Sequence, residues 1–209
     1  MICAIVLAAG RSRRMGVQKL LLPFGGKTVI THIVDQLLAS NVDEVRVVVG
    51  HQRKRISQQL SGQPVSIMNN PDYKTGMLSS VRCGLRDLPR QCQAVLVTLG
   101  DQPSITSKLI NQMLQSFAAT EKRILVPIYN GKRGHPTLFS KFYSDEILTH
   151  YDNVGLRGLL HAHPEDVLEL TVSTSAVLSD MDCPEDYRRE LALIEKKHAR
   201  QDSNLRPTD

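Results

Sequence analysis

The sequence predicts an α/β protein built on a mostly parallel sheet with helices on both faces. Three observations predict it. Short, β-branched apolar runs recur along the chain, helical stretches separate them, and most of the runs are apolar on both faces, as strands buried on two sides must be. Such β-α alternation favours parallel strands joined by crossover helices.

The first strand is expected over Ile2–Leu7. Basic residues follow this apolar run and do not precede it, so it reads as a buried strand and not as a secretory leader. Further strands are expected at Glu44–Gly50, Val65–Met68, Ala94–Leu99 and Ile124–Ile128. Helices fall between them at Thr28–Ala39, Gln52–Leu60, Leu78–Leu88 and Thr106–Ala118, with Thr106 placed to cap the last. The second half is less regular. Ile128–Tyr129 and His135–Phe139 flank Asn130-Gly131-Lys132, which suggests a hairpin. Helices are expected over Ser140–Thr149, Val154–His161 and Pro184–Lys197, with Pro184 in a first turn, and strands near Val167–Val172 and Ala176–Leu178. The 209 residues suit one domain, taken as 1–197, and a polar, flexible tail over 198–209.

Composition narrows the function. Hydrophobic residues make up 41% of the chain, enough for a core, and no apolar run is long enough to span a bilayer. The four cysteines (Cys3, Cys83, Cys92, Cys183) form no C-x-x-C pair, which argues against a zinc site or disulfide scaffold and for a reduced, cytoplasmic setting. The net charge is +5, and its location matters more than its size. Residues 1–34 hold Arg11, Arg13, Arg14, Lys19, Lys27 and no acid, while the rest of the chain holds 21 residues of each sign. With only 4% aromatics, this clustered charge suits a compact polyanion such as a nucleoside triphosphate better than a nucleic acid.

Four segments carry candidate chemistry. The strongest runs from Leu7 to Pro23 and follows the first strand, where open α/β sheets place ligands. Ala8, Ala9 and Gly10 allow close backbone approach, the loop amides can form an anion nest, and Arg14 and Lys19 supply charge-assisted phosphate contacts. The segment is neither a Walker A loop nor a dinucleotide fingerprint, and an ordinary basic surface loop is the plainer alternative. Gly100-Asp101-Gln102-Pro103 closes a buried strand, so Asp101 points toward the same crevice. One carboxylate plus substrate phosphates is a usual way to hold magnesium; a simple cap for the next helix is the alternative. Gly131-Lys132-Arg133-Gly134-His135-Pro136 forms a shaped basic loop able to meet an anionic second substrate, or a hairpin with solvated charges. Ser179 to Tyr187 offers carboxylates at a turn, among them Asp182, which also reads as an N-cap.

Together these residues resemble the MobA-like nucleotidyltransferase family, and within it the molybdenum cofactor cytidylyltransferases. The family opening L-A-[AG]-G-x-S-x-R-M-G-x-x-K is matched from Leu7 to Lys19, G-D-Q-P from Gly100 to Pro103, and R-G-H-P from Arg133 to Pro136. The late D-x-D-x-P-x-D-[YL] element is matched from Asp180 to Tyr187, with Cys183 where threonine is frequent. The resemblance covers roughly residues 1–197. It implies a Rossmann-like fold of the nucleotide-diphospho-sugar transferase type, and transfer of a cytidylyl group from CTP to molybdopterin with release of pyrophosphate. By the same resemblance Leu7, Ala8, Ala9, Gly10 and Gly100 would line the nucleotide and Arg14 and Lys19 would hold its triphosphate. Asp101 would bind Mg2+ with Asp182 as a second ligand, and Arg133 and His135 would face the pterin. A molybdenum hydroxylase would receive the product. Two rival readings change the acceptor to a sugar or polyol phosphate, or make the protein a non-catalytic insertion chaperone. Neither nucleic acid nor membrane is an expected partner.

Overall fold

A computed structural model describes residues 1–204, with side chains described over 1–196. The main strands are β1 (Ile2–Ala8), β4 (Glu44–Val49), β5 (Ser66–Asn69), β6 (Ala94–Leu99), β7 (Ile124–Tyr129), β9 (Thr137–Ser140) and β10 (Val167–Thr171). Two-residue strands β2 (Pro23–Phe24), β3 (Lys27–Thr28) and β8 (Lys132–Arg133) complete the set. Helices α1 (Val29–Leu38), α2 (Arg53–Gln59), α3 (Met77–Leu85), α4 (Ser107–Ala118), α5 (Ser144–Thr149), α6 (Leu156–Ala162) and α7 (Pro184–Asn204) surround them.

The main sheet runs β10-β7-β9-β6-β1-β4-β5. β1 pairs parallel with both β4 and β6, and β4–β5 and β7–β10 are also parallel. Alternate residues of β1 serve two cores. Ala4, Val6 and Ala8 join α1, α2, α4 and α7 on one face, whereas Cys3 and Ile5 meet α3, α5 and α6 on the other. Burial on both faces explains the unbroken apolar run in β1. Thr28 and Thr106 cap α1 and α4 by accepting the amide hydrogens of Thr31 and Leu109. Among the described residues, no helix is long and apolar enough to cross a membrane.

The structure departs from expectation in five places. Asn130 and Gly131, both at positive φ (49° and 73°), form a tight turn into β8, and the chain leaves the ladder at Gly134–Pro136 before returning as β9. β9 then pairs antiparallel with β6 as well as β7, which inserts a reversed strand into the middle of the sheet. The strand expected over Ala176–Leu178 is instead one helical turn, Ser175–Leu178, begun where the Thr174 hydroxyl accepts from Ala176 N–H. A small β2–β3 hairpin turns through Gly25 and Gly26, both at positive φ, and was not foreseen. Finally, α7 continues past Lys197 to Asn204, through a stretch with no helix breaker before Pro207; residues 205–209 of the expected tail lie outside the described residues.

Candidate active site

β1 and β6 lie side by side with Leu7 opposite Leu99, so the loops that follow them share one crevice. Gly100 N–H donates to the Leu7 carbonyl at 3.1 Å, and a Cβ at Gly100 would sit 2.8 Å from that oxygen. Only glycine lets the second loop cross so close to the first strand.

The first loop is held from within. Gln18, almost fully buried, donates through Nε2 to the Gly10 carbonyl (3.2 Å) and accepts from Ser12 Oγ (2.7 Å). Ser12 Oγ in turn accepts from Lys19 N–H (3.3 Å). Ser12 and Gly16 both take left-handed conformations, which curl the loop back on itself. Gln18 falls at an unspecified position of the sequence pattern, and nothing in its spacing marks it.

At the centre, Lys19 Nζ donates to Asp101 Oδ2 (2.5 Å) and Asp182 Oδ1 (3.0 Å), and Arg14 Nη1 donates to Asp182 Oδ2 (2.7 Å). Four residues separated by up to 168 positions therefore meet in one charged cluster. Burial works to lower the Lys19 pKa, but the two carboxylates outweigh it and hold the ammonium above its ordinary value. The Asp182 side chain does not cap α7. Asp186 takes that role, accepting from Asp182 N–H, Cys183 N–H and the Cys183 thiol. The loop bearing Asp182 is tied down twice more: Met181 N–H donates to the Asp101 carbonyl (3.0 Å), and buried Gln102 donates to Asp180 Oδ1 (2.8 Å). Burial, and then the Asp101 charge, push the Asp180 carboxyl above its usual range.

Three adjoining cavities extend from this cluster. The first, about 440 Å³, is lined by Leu7, Gly10, Arg14, Lys19, Gly100 and Asp101. The second, about 450 Å³, shares several of these and adds Ala9, Tyr73 and Ser80. The third, about 460 Å³, reaches His135, Met77 and Arg157. Burial lowers the His135 pKa against the pull of Asp180 and Asp101, which favours a neutral imidazole. Two expected residues do not line these cavities. Ala8 is fully buried in the core, and Arg133 is turned to the sheet edge, where its Nε meets Glu169 Oε1 at 2.6 Å. Among the described residues no group of three or more histidine, cysteine or acidic side chains is arranged to hold a metal. Asp101 and Asp182 nevertheless bring hard carboxylate oxygens to one point, a donor type that suits magnesium when substrate phosphates and water complete the shell.

A family model for the MobA-like NTP transferase domain matches residues 4–167. The chain is 26% identical over 184 residues to the molybdenum cofactor cytidylyltransferase of Escherichia coli K12, covering 88% of this chain and 92% of that protein. It is 30% identical over 146 residues to the bifunctional protein GlmU of Listeria monocytogenes, covering 69% of this chain and 31% of GlmU. Its fold superposes on Rv0371c of Mycobacterium tuberculosis H37Rv with a TM-score of 0.82 at 29% identity, covering 91% and 97% of the two chains. A second structure of Rv0371c (TM-score 0.77, 28% identity, 91% and 98% covered) is a manganese complex.

Proposed function

Since the chain belongs to the MobA-like NTP transferase family and is a nucleotidyltransferase, we propose that it transfers the cytidylyl group of CTP to the phosphate of molybdopterin. The observation that carries this reading is Lys19 seated between Asp101 and Asp182 at the carboxyl ends of β1 and β6. An acceptor phosphate oxygen attacks the α-phosphorus, the bond to the bridging oxygen of the β-phosphate breaks, and pyrophosphate leaves. The acceptor is already an anion, so the step needs no strong general base. Rate then depends on alignment and on charge placed against the leaving group.

Lys19 and Arg14 hold the triphosphate, and the pinned 10–19 loop offers its amides to the same phosphates. Asp101 and Asp182 would hold a divalent cation, which we take to be Mg2+. That ion supplies charge neutralisation on the phosphates when bound. A neutral His135 lines the far cavity, where the acceptor would sit. The four cysteines are free thiols, in keeping with a reducing cytoplasm, and a molybdenum hydroxylase is the proposed recipient of the product.

The test is incubation of the purified protein with magnesium, molybdopterin and each nucleoside triphosphate in turn. Molybdopterin cytosine dinucleotide and pyrophosphate should appear with CTP; a dinucleotide formed from another nucleotide alone overturns the cytidylyl assignment. Base size rests on Ala9, which is buried, lines the middle cavity and brings its methyl close to Gly50. Its methyl narrows the space a purine's second ring would need. The protein should favour CTP over GTP by about 10- to 200-fold in kcat/KM, and Ala9→Gly should erode that ratio. An unchanged ratio in the variant would place base selection elsewhere.

A further inference from the structure

The third cavity has two walls that come from separate parts of the chain. α3 supplies one through Met77, Leu78 and Val81, and the segment from Asp152 to Arg157 supplies the other. Between the end of α5 at Thr149 and the start of α6 at Leu156 the chain runs through turns. Tyr151 and Gly155 stand there at positive φ (78° and 64°). A tyrosine in that region is uphill, so its surroundings must hold the loop in shape.

Most of that hold is local. The Tyr151 ring lies against bare Gly158, where a Cβ would collide with it, and the Tyr151 hydroxyl donates to Glu146. These contacts tie the loop to α5 and α6, and neither reaches α3. The link to α3 is Arg82. Its Nε donates to the Ile147 carbonyl at 2.9 Å, its Nη2 to the His150 carbonyl at 2.8 Å, and its Nη1 to the Asp152 carboxylate. Among the described residues, every hydrogen bond between α3 and the 147–157 segment comes from this one guanidinium. The two carbonyl bonds matter most, because the Asp152 side chain is 68% exposed and its ion pair is screened by water. A planar fork that engages three acceptors at once has no equivalent in lysine, whose ammonium is a single point of charge.

We propose that Arg82 is a positioning residue for the acceptor: by pinning the loop to α3 it fixes the width of the third cavity and holds Arg157, at the start of α6, on its wall. The inference rests on the proposed seating of the acceptor in that cavity and names what keeps the seat in register. Arg82 does not itself line the cavity and acts through the loop. The nucleotide cluster around Lys19, Asp101 and Asp182 has no bond to it, so the two halves of the reaction depend on Arg82 unequally.

The experiment measures pyrophosphate release at saturating CTP and magnesium while molybdopterin is varied, beside calorimetric binding of CTP without acceptor and amide hydrogen exchange of the free protein. Arg82→Ala should lower kcat/KM for the acceptor about 10- to 100-fold, chiefly through a raised KM, and leave the CTP dissociation constant within about threefold. Exchange over 150–156 should speed up while the 10–19 loop keeps its protection. Arg82→Lys keeps the charge but reaches one acceptor in place of three, so it should share most of the loss, and it covers the case of an Ala variant that fails to fold. Full recovery of kcat/KM in the Lys variant would make the effect one of charge and overturn the inference. Losses of equal size in CTP affinity and acceptor kcat/KM overturn it too, because they mark a general weakening of the fold. Unchanged exchange over 150–156 overturns it whatever the acceptor is. Absence of transfer from wild type to molybdopterin removes the acceptor assignment alone, and the exchange measurement then decides this inference.

Discussion

Asp101 and Lys19 meet at 2.5 Å, both largely sheltered from water, and neither has any packing task in the sheet beneath them. Their removal should therefore show in turnover before it shows in stability. Asp101→Ala is expected to lower kcat by about 10² or more while the unfolding midpoint stays close to wild type. Near-normal turnover in a folded mutant would reduce the Gly100–Pro103 segment to a turn. Lys19→Ala should weaken nucleotide binding and slow the reaction. Arg11→Ala should do little, because among the described residues Arg11 makes no hydrogen bond to the cluster and sits at the rim of the cavity. Comparable small effects from the two substitutions would mean that the loop is a diffuse basic patch. These central residues were legible because each closes or follows an apolar run, and strand ends point at the crevice. Arg133 was not, since a motif cannot show that Glu169, 36 positions away, draws it to the edge. Gln18 escaped for another reason: it is a single polar residue whose role depends on partners that the fold brings in.

The start of α7 shows how one element serves both stability and site. Asp186 lies in its first turn and reaches back to accept from two amides and a thiol, a one-way cap that leaves Asp182 free to face Lys19. The Cys183 thiol is the foremost of the contacts that hold the Asp186 carboxyl down to about 2. Its folded value lies below the ordinary 3.8, so its contribution is complete above that pH and is lost as pH falls toward about 2. Asp186→Ala should cost about 0.5–2 kcal/mol in urea unfolding at neutral pH, with the difference from wild type shrinking through that acidic window. It should also lower kcat, because the loop carrying Asp182 loosens. A mutant with lowered stability and wild-type kcat would show that Asp182 is held by Lys19 and Arg14 alone. The sequence placed this helix correctly at Pro184, but its reading of Asp182 as the plain N-cap is overturned: Asp186 accepts from the amides ahead of the helix, and the Asp182 carboxylate is taken by Lys19 and Arg14.

At the scale of the whole molecule, the alternation of strands and helices along the chain was readable from periodicity, while the order of strands on the sheet and the reversed strand within it were not. β9 is only four residues long, and its two partners are set by register in three dimensions. The proposed domain limit at 197 has its own test. α7 docks through Tyr187, whose hydroxyl donates to the Pro23 carbonyl, and through buried Glu190 and Ile194, all before that limit. A chain ending at 197 should keep its unfolding midpoint to within a few degrees and retain activity. A large fall in either would make the last twelve residues part of the working fold.

The reversed strand in mid-sheet has a consequence for synthesis. Strands β5, β4, β1 and β6 are complete once Leu99 has been made, yet the outer edge of β6 finds its partner only at Thr137–Ser140. Until then a fully apolar strand, Ala94 to Leu99, presents open backbone donors and acceptors along one side. A nascent chain emerging from the ribosome carries that sticky edge for some forty residues of elongation, a few seconds at about 5–20 residues per second. During that interval the half-built sheet is a template for pairing with another copy, and a holdase that shields β6 would raise the yield of soluble protein.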